Sequence, residues 1–302
     1  MRKLIEIKNV TKKFGDFTAV NGLSMKVENG SVYGLVGYNG AGKTTLLKMI
    51  AGVYKPDEGE VTINGRNTFT DSEVRLDMFY VPDEIYFEAF SSIERMAKFY
   101  AGYYPDFSME TLDNLCGVFK LDKKARLNSF SKGMQRQAEM ILGMSALPKV
   151  LLLDESFDGL DPQKRSVMNK MLVDYVAERE CSVIISSHNL HEISDICDHM
   201  ALMNGRKIAL DCSVDDISAH RCKFRLVFGD EKTQADFEGL DIVRFKTDGR
   251  MVTLSVKGDP DTAEEKLRQM SPLLIERFPL TIEEIFLEEM EDTDYDFKEI
   301  FS

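Results

Sequence analysis

The 302-residue chain has no apolar run near the roughly 20 residues that a membrane-spanning helix needs. Its longest apolar runs, such as VLLL at 150–153, are only strand length. It also lacks the hydrophobic segment of a secretory leader, because the start MRKLIEIKNVTKKF alternates apolar and charged residues. Together these absences lead us to expect a cytosolic chain. Cysteine is sparse: Cys116, Cys181, Cys197, Cys212 and Cys222 are scattered and show no C-x-x-C spacing. They read as reduced, structural thiols, not as a disulfide frame or a zinc site. Positive charge is in deficit, with a net charge of −13. That argues against nonspecific binding of nucleic acid, which draws on clustered Lys and Arg. It leaves room for a membrane-protein partner, whose cytoplasmic loops are commonly basic. No internal repeat, low-complexity tract or heptad insertion interrupts the chain.

At 43% hydrophobic and 29% charged residues, the composition is that of an ordinary globular protein. The length suits one large domain and a smaller one. LIEIKNV, LSMKVENG and SVYGLVG carry strand signals over residues 4–36, and TTLLKMIAGVY then has helical spacing that should end near Pro56. EGEVTINGR predicts a hairpin, with Asn64-Gly65 at its tight turn. From about Glu84 to Gly143 the pattern is helical and rich in aromatic residues. VLLLDES and CSVIISSH are continuous apolar runs suited to strands buried on both faces of a parallel sheet. Between them PQKRSVMNKMLVDYVAERE predicts a helix with Pro162 in its first turn. The character changes near Gly205. KFRLVF and IVRFKT-DG-RMVTLSV alternate with period two, and two helical segments follow, the second opened by a Thr281…Glu284 capping box.

The candidate chemistry lies in the first two thirds of the chain. GYNGAGKTT, residues 37–45, fits G-x-x-x-x-G-K-[ST] between a strand and a helix. Gly37, Gly40 and Gly42, with Asn39 and Ala41 between them, allow backbone N–H groups to turn onto phosphate oxygens. Lys43 reaches the terminal phosphates, Thr44 offers a hydroxyl to Mg²⁺, and Thr45 completes the run. Asp154, at the end of a buried strand, is placed to hold Mg²⁺ through water, and Glu155 to orient or deprotonate an attacking water. His188 ends the next buried strand, at the edge where open α/β sheets gather ligands, and reads as a γ-phosphate sensor.

In order, GYNGAGKTT, FSKGMQRQ, VLLLDE, FDGLDP and SSH resemble the nucleotide-binding subunit of an ABC transporter over about residues 1–210. The resemblance implies an α/β P-loop NTPase cassette with a mixed-sheet core, an antiparallel β part and a helical subdomain; the alternating and helical patterns after it predict a small α+β domain. The expected boundaries are 1–220 for the ATPase domain, with the helical subdomain at about 84–143. The small domain is expected at 221–290 and an acidic tail at 291–302. The resemblance further implies ATP and Mg²⁺ as cofactors and a separate transmembrane permease as partner, with no nucleic acid. It places the chain peripherally on the inner face of the cell membrane. It implies a second ATP-binding subunit, identical or related, paired head to tail so that Ser131 and Gly133 close over the partner's ATP. Phe14 is similar to the aromatic residue that stacks on adenine, its alternative being a core aromatic. Asp161, in FDGLDP, would communicate across the dimer.

The chain departs from the family pattern at two places. FSKGM has Lys132 and Met134 where Gly and Gln are common. YVPDE at 80–84 has Asp83 where a glutamine usually contacts Mg²⁺ and the attacking water, and Glu84 can share that role. Tyr86, Phe87 and Phe90 either fill the core of the helical region or line a groove for a permease helix. PLTIEEIFLEEM resembles the ending of drug- and antibiotic-resistance subunits, which favours export. The rivals are a soluble ABC-type ATPase acting on ribosomes or DNA and an ATP-binding module without turnover.

Overall fold

A computed structural model describes residues 3–214 and 221–290. The expected acidic tail, and the junction expected near residue 220, lie outside them. The chain divides into two compact units, Met1–Asp211 and Cys212–Ser302.

The first unit is built on two sheets. β1 (Lys3–Phe14), β2 (Phe17–Glu28), β4 (Glu58–Ile63) and β5 (Arg66–Asn67) form a four-stranded sheet in the order β2-β1-β4-β5. β1 pairs antiparallel with both β2 and β4. The expected hairpin turn is present, with Asn64 at φ 50° and Gly65 at φ 77°. The second sheet runs β10-β9-β3-β8-β7-β6, with β3 at Val32–Gly37, β6 at Met78–Val81 and β7 at Val150–Asp154. β8 spans Ser182–Ser187, β9 His199–Asn204 and β10 Lys207–Ser213. β6, β7, β8, β3 and β9 are all parallel neighbours. Every residue of β3, β7 and β8 is buried, as their unbroken apolar runs require of strands covered on both faces.

Helices cover these sheets. α1 (Lys43–Ile50) follows β3 directly and buries Leu46, Leu47, Met49 and Ile50. It ends earlier than the sequence suggests, because the amides of Val53 and Tyr54 turn back onto the Lys48 carbonyl well before Pro56. α2 (Ile93–Ala101), α3 (Met109–Phe119) and α4 (Lys132–Ser145) start at serine caps: Ser92, Ser108 and Ser131 each accept from an amide three residues on. Ile93, Ala97, Leu112, Cys116, Ala138, Ile141 and Leu142 interlock as a separate small core. Residues 84–92, expected to be helical, are not. Phe90 sits at φ 67°, outside helical space, and its exposed ring lies under the Arg126 guanidinium. Phe87 enters the small core, whereas Tyr86 is 85% exposed. α5 (Pro162–Arg179) is capped by Asp161, with proline in its first turn as read from the sequence.

The second unit is an antiparallel sheet in the order β12-β13-β11-β14, with β11 at Arg221–Val227, β12 at Asp241–Asp248, β13 at Met251–Lys257 and β14 at Leu274–Pro279. Phe224, Leu226, Val252 and Leu254 pack with Ala263 and Leu267 of helix α6 (Pro260–Gln269). α7 (Ile282–Met290) opens with the expected reciprocal cap: Thr281 Oγ1 accepts from the Glu284 amide, and Glu284 Oε2 from the Thr281 amide. β14 has no alternation that betrays it, because it is exposed along most of its length. Among the described residues no helix is long and apolar enough to cross a membrane.

Candidate functional site

Strand order places the site. β3, β8 and β7 are adjacent and parallel, so the loops at their carboxyl ends meet at one edge. β3 delivers the glycine loop, β7 delivers Asp154 and Glu155, and β8 delivers His188. Residues more than 100 positions apart in sequence are thereby brought within hydrogen-bonding range.

The loop wraps tightly before α1. Gly42, the cap of that helix, has φ 107°, and a Cβ there would lie 2.5 Å from the Ala19 carbonyl oxygen. Only glycine fits this conformation and this approach. Lys43, 5% exposed, folds back over the loop. Its Nζ donates to the Gly37 carbonyl at 2.6 Å and the Tyr38 carbonyl at 3.3 Å, and stands 3.1 Å from Glu155 Oε1.

Asp154 is fully buried and receives three hydroxyls. Thr44 donates to Oδ1 at 3.1 Å, Ser186 to Oδ1 at 2.6 Å, and Tyr80 to Oδ2 at 2.9 Å. Its charge is thus met by oriented dipoles, as a carboxylate out of water requires. Burial, and then the charge of Asp154, push the Tyr80 phenol well above its ordinary range, so it stays a donor.

Glu155 holds a left-handed backbone, φ 48°, fixed by its amide bonding to the Ser186 carbonyl and hydroxyl, both at 3.1 Å. A non-glycine residue pays strain for that conformation, and such strain collects at functional positions. Glu155 Oε2 accepts from the His188 amide at 3.2 Å and lies 2.8 Å from His188 Nδ1. Burial alone would raise the Glu155 carboxyl. The His188 hydrogen bond and the Lys43 charge outweigh it and hold the group below its ordinary value.

Lys43, Thr44 and Glu155 border a cavity of about 350 Å³ lined also by Phe17, Ala19, Tyr38, Asn39, Gly40, Gly42, Thr45 and Asp83. Ala41 packs against a core cluster that includes Leu35, Leu46 and Leu47, and Gly37 runs so close to β9 that a Cβ there would lie 2.6 Å from the Met203 carbonyl oxygen. Phe14 is not on the cavity wall. It is half exposed at the far side of a two-residue turn from Phe17, with its ring edge-on to Tyr54 at 5.4 Å. Ser131 and Gly133 do not line this cavity either. Ser131 is exposed at the start of α4, where its hydroxyl caps the helix. Asp161 likewise caps α5 at an exposed position.

Sequence reading missed Tyr80, Ser186 and Phe17. It also missed Arg136, whose guanidinium bonds Asp83. No local pattern marks them, although the phenol in YVPD and the serines in IISSH stand beside residues that were singled out.

The ABC transporter family model matches residues 20–158. The chain is 32% identical over 292 residues to the Nod factor export ATP-binding protein I of Burkholderia lata, covering 94% of this chain and 95% of that one. It is 25% identical over 284 residues to the ABC transporter ATP-binding protein YtrB of Bacillus subtilis, covering 94% and 97%. A solved structure described as the ATP-binding subunit of an ABC transporter superposes with a TM-score of 0.65 at 24% identity, over 71% of this chain and 91% of that one. That last likeness shows the cassette fold, and the motifs, the geometry and the relatives agree with it. The chain belongs to the ABC transporter family, as an ATP-binding subunit that hydrolyses ATP to power transport with a partner transmembrane component.

Proposed function

We propose that the cavity bordered by Lys43, Thr44 and Glu155, with the buried Asp154 bonded to Thr44 behind its wall, is the ATP hydrolysis site, and that the cycle drives an exporter from the inner face of the cell membrane. The observation that carries this reading is the contact chain Lys43–Glu155–His188 beside the glycine loop. Backbone amides of residues 39–45 bind the phosphates, aided by the α1 N-terminus. Lys43 exchanges its carbonyl and Glu155 contacts for phosphate oxygens. Glu155, ionised at neutral pH, orients the attacking water and takes its proton. His188, tethered to Glu155 through Nδ1, senses the γ-phosphate with its other ring nitrogen, a contact that requires that nitrogen to carry a proton. Phe14 provides a half-exposed ring for adenine, on the turn whose other end, Phe17, forms the cavity wall.

The residues present fit Mg²⁺. Thr44 and Asp154 offer hard oxygen donors, and Asp83 borders the same cavity. Among the described residues no three of His, Cys, Asp and Glu converge as a metal cage. Few protein oxygens completed by phosphates and water is the habit of Mg²⁺ with nucleotides. When bound, the ion would neutralise phosphate charge.

The exposure of Ser131, and its absence from the cavity of its own chain, support use in trans. Two subunits, identical or related, pair head to tail, with Ser131 and Gly133 closing over the partner's ATP and Asp161 near the junction. Export is supported by the Nod factor relative, described as an export protein, and by the PLTIEEIFLEEM ending. The test is sedimentation of Glu155→Gln with Mg-ATP. A dimer that Ser131→Arg abolishes supports the reading; a monomer at saturating nucleotide refutes it.

A further inference from the structure

Asp83 borders two cavities. One is the 350 Å³ nucleotide cavity; the other, about 470 Å³, is lined also by Lys132, Gln135, Arg136 and Asp158. The carboxylate is held from the second side. Arg136 Nη2 donates to Asp83 Oδ1 at 2.9 Å, and Nη1 of the same guanidinium donates to the Pro82 carbonyl at 2.8 Å. Arg136 is nearly buried and belongs to the second turn of α4, whose first residue follows Ser131. The two-pronged grip ties the segment after β6 to the helix that presents Ser131 and Gly133. β6, which leads into that segment, reaches the metal side as well, through the Tyr80 hydroxyl on Asp154.

A carboxylate already engaged by a guanidinium is a poorer ligand for a hard cation, because the fixed positive charge opposes the incoming one. A lysine in place of Arg136 would not reproduce the fork that holds both oxygens. We infer that Arg136 is a positioning residue for the metal–nucleotide step, holding Asp83 on the α4 side so that Arg136 and the metal–nucleotide complex compete for one carboxylate. The competition is reciprocal: whatever draws Asp83 to the nucleotide loosens the start of α4, and a firmer Arg136 contact weakens metal-dependent binding. This inference rests on the proposed reading of Asp83 as a group that contacts Mg²⁺.

The experiment measures binding of a fluorescent ATP analogue against Mg²⁺ concentration, in the Glu155→Gln background so that nothing turns over. Arg136→Gln should lower the Mg²⁺ concentration for half-maximal binding by about threefold to tenfold, the range of a partly exposed charge contact. Arg136→Lys should shift it the same way by less, and serves as the deciding variant if Arg136→Gln does not fold. With Asp83→Asn already present, Arg136→Gln should add nothing. An unchanged half-point in both Arg136 variants, or a shift that persists in Asp83→Asn, overturns the inference. If Asp83→Asn raises the half-point while the Arg136 variants do nothing, the competition fails and the metal role of Asp83 stands. If Asp83→Asn alone has no effect, that role fails and takes the inference with it.

Discussion

Lys43 Nζ and Glu155 Oε1 stand 3.1 Å apart, both side chains nearly buried, with His188 closing the other end of the carboxylate. The lysine is held on Glu155 and on two loop carbonyls, contacts that donation to a phosphate would exchange. Glu155→Gln removes the proposed base and also the charge that competes for Lys43. Turnover should fall at least about a hundredfold, while ATP affinity holds or rises. Phosphate release and analogue binding check the two halves; turnover within about threefold of wild type would remove Glu155 from its proposed role.

Besides its proposed role in trans, Ser131 caps α4, since its hydroxyl accepts the Met134 amide at 3.3 Å. Ser131→Ala should therefore cost about 1 kcal/mol of stability and leave ATP binding to the isolated chain intact. Its ATPase activity should lose the rise with protein concentration that a shared site produces. Thermal melts and rate measurements across a concentration series separate these effects.

Glu139 makes stability depend on pH. Its side chain is buried in α4 beside Tyr100, and burial pushes the carboxyl up to about 7 against the opposing pull of Tyr100 and Arg136. Its Oε2 has no hydrogen-bond partner among the described residues. Between the ordinary value of 4.5 and about 7 the folded chain binds a proton that the unfolded chain releases. This contribution is therefore full below 4.5 and is lost as pH rises through about 7. Glu139→Gln should flatten that slope and raise stability at pH 8 by on the order of 2 kcal/mol. Denaturation of both proteins at pH 5 and pH 8 checks it; equal slopes would contradict it.

Gly143 lets α4 pack closely against Phe79 of β6. A Cβ there would lie 2.8 Å from Phe79 Cδ1, a ring already packed against Tyr100 and Tyr104. Gly143→Ala gains helix propensity but forces that ring aside, and should lower stability by about 1–3 kcal/mol. A denaturant midpoint at or above wild type would show that the aromatic cluster can yield.

What the sequence revealed was what local physics writes locally. The glycine loop between a strand and a helix, the buried strand ending in Asp154 and the Thr281…Glu284 cap could each be read within a few residues. Tyr80 could not. Its strand has four residues, and its hydroxyl meets Asp154 only because β6 pairs in parallel with β7, which is 74 positions distant at that contact. The Arg136–Asp83 bond, spanning 53 positions, depends on how α4 packs on the segment after β6. The edge strand β14 escaped because it buries no regular face. Phe14 and Phe17 are equally exposed aromatic residues at one turn, and only the three-dimensional path of β2 puts Phe17 on the cavity.

On the function proposed above, this chain is the ATP-driven half of a transporter whose other half is a separate membrane protein. The most direct measurement is tagged purification from detergent-solubilised membranes, using wild type and Glu155→Gln with ATP. A stoichiometric multi-span protein should be retained with the chain. Recovery of the chain in the soluble fraction, carrying ribosomes or nucleic acid in place of a membrane protein, would contradict it.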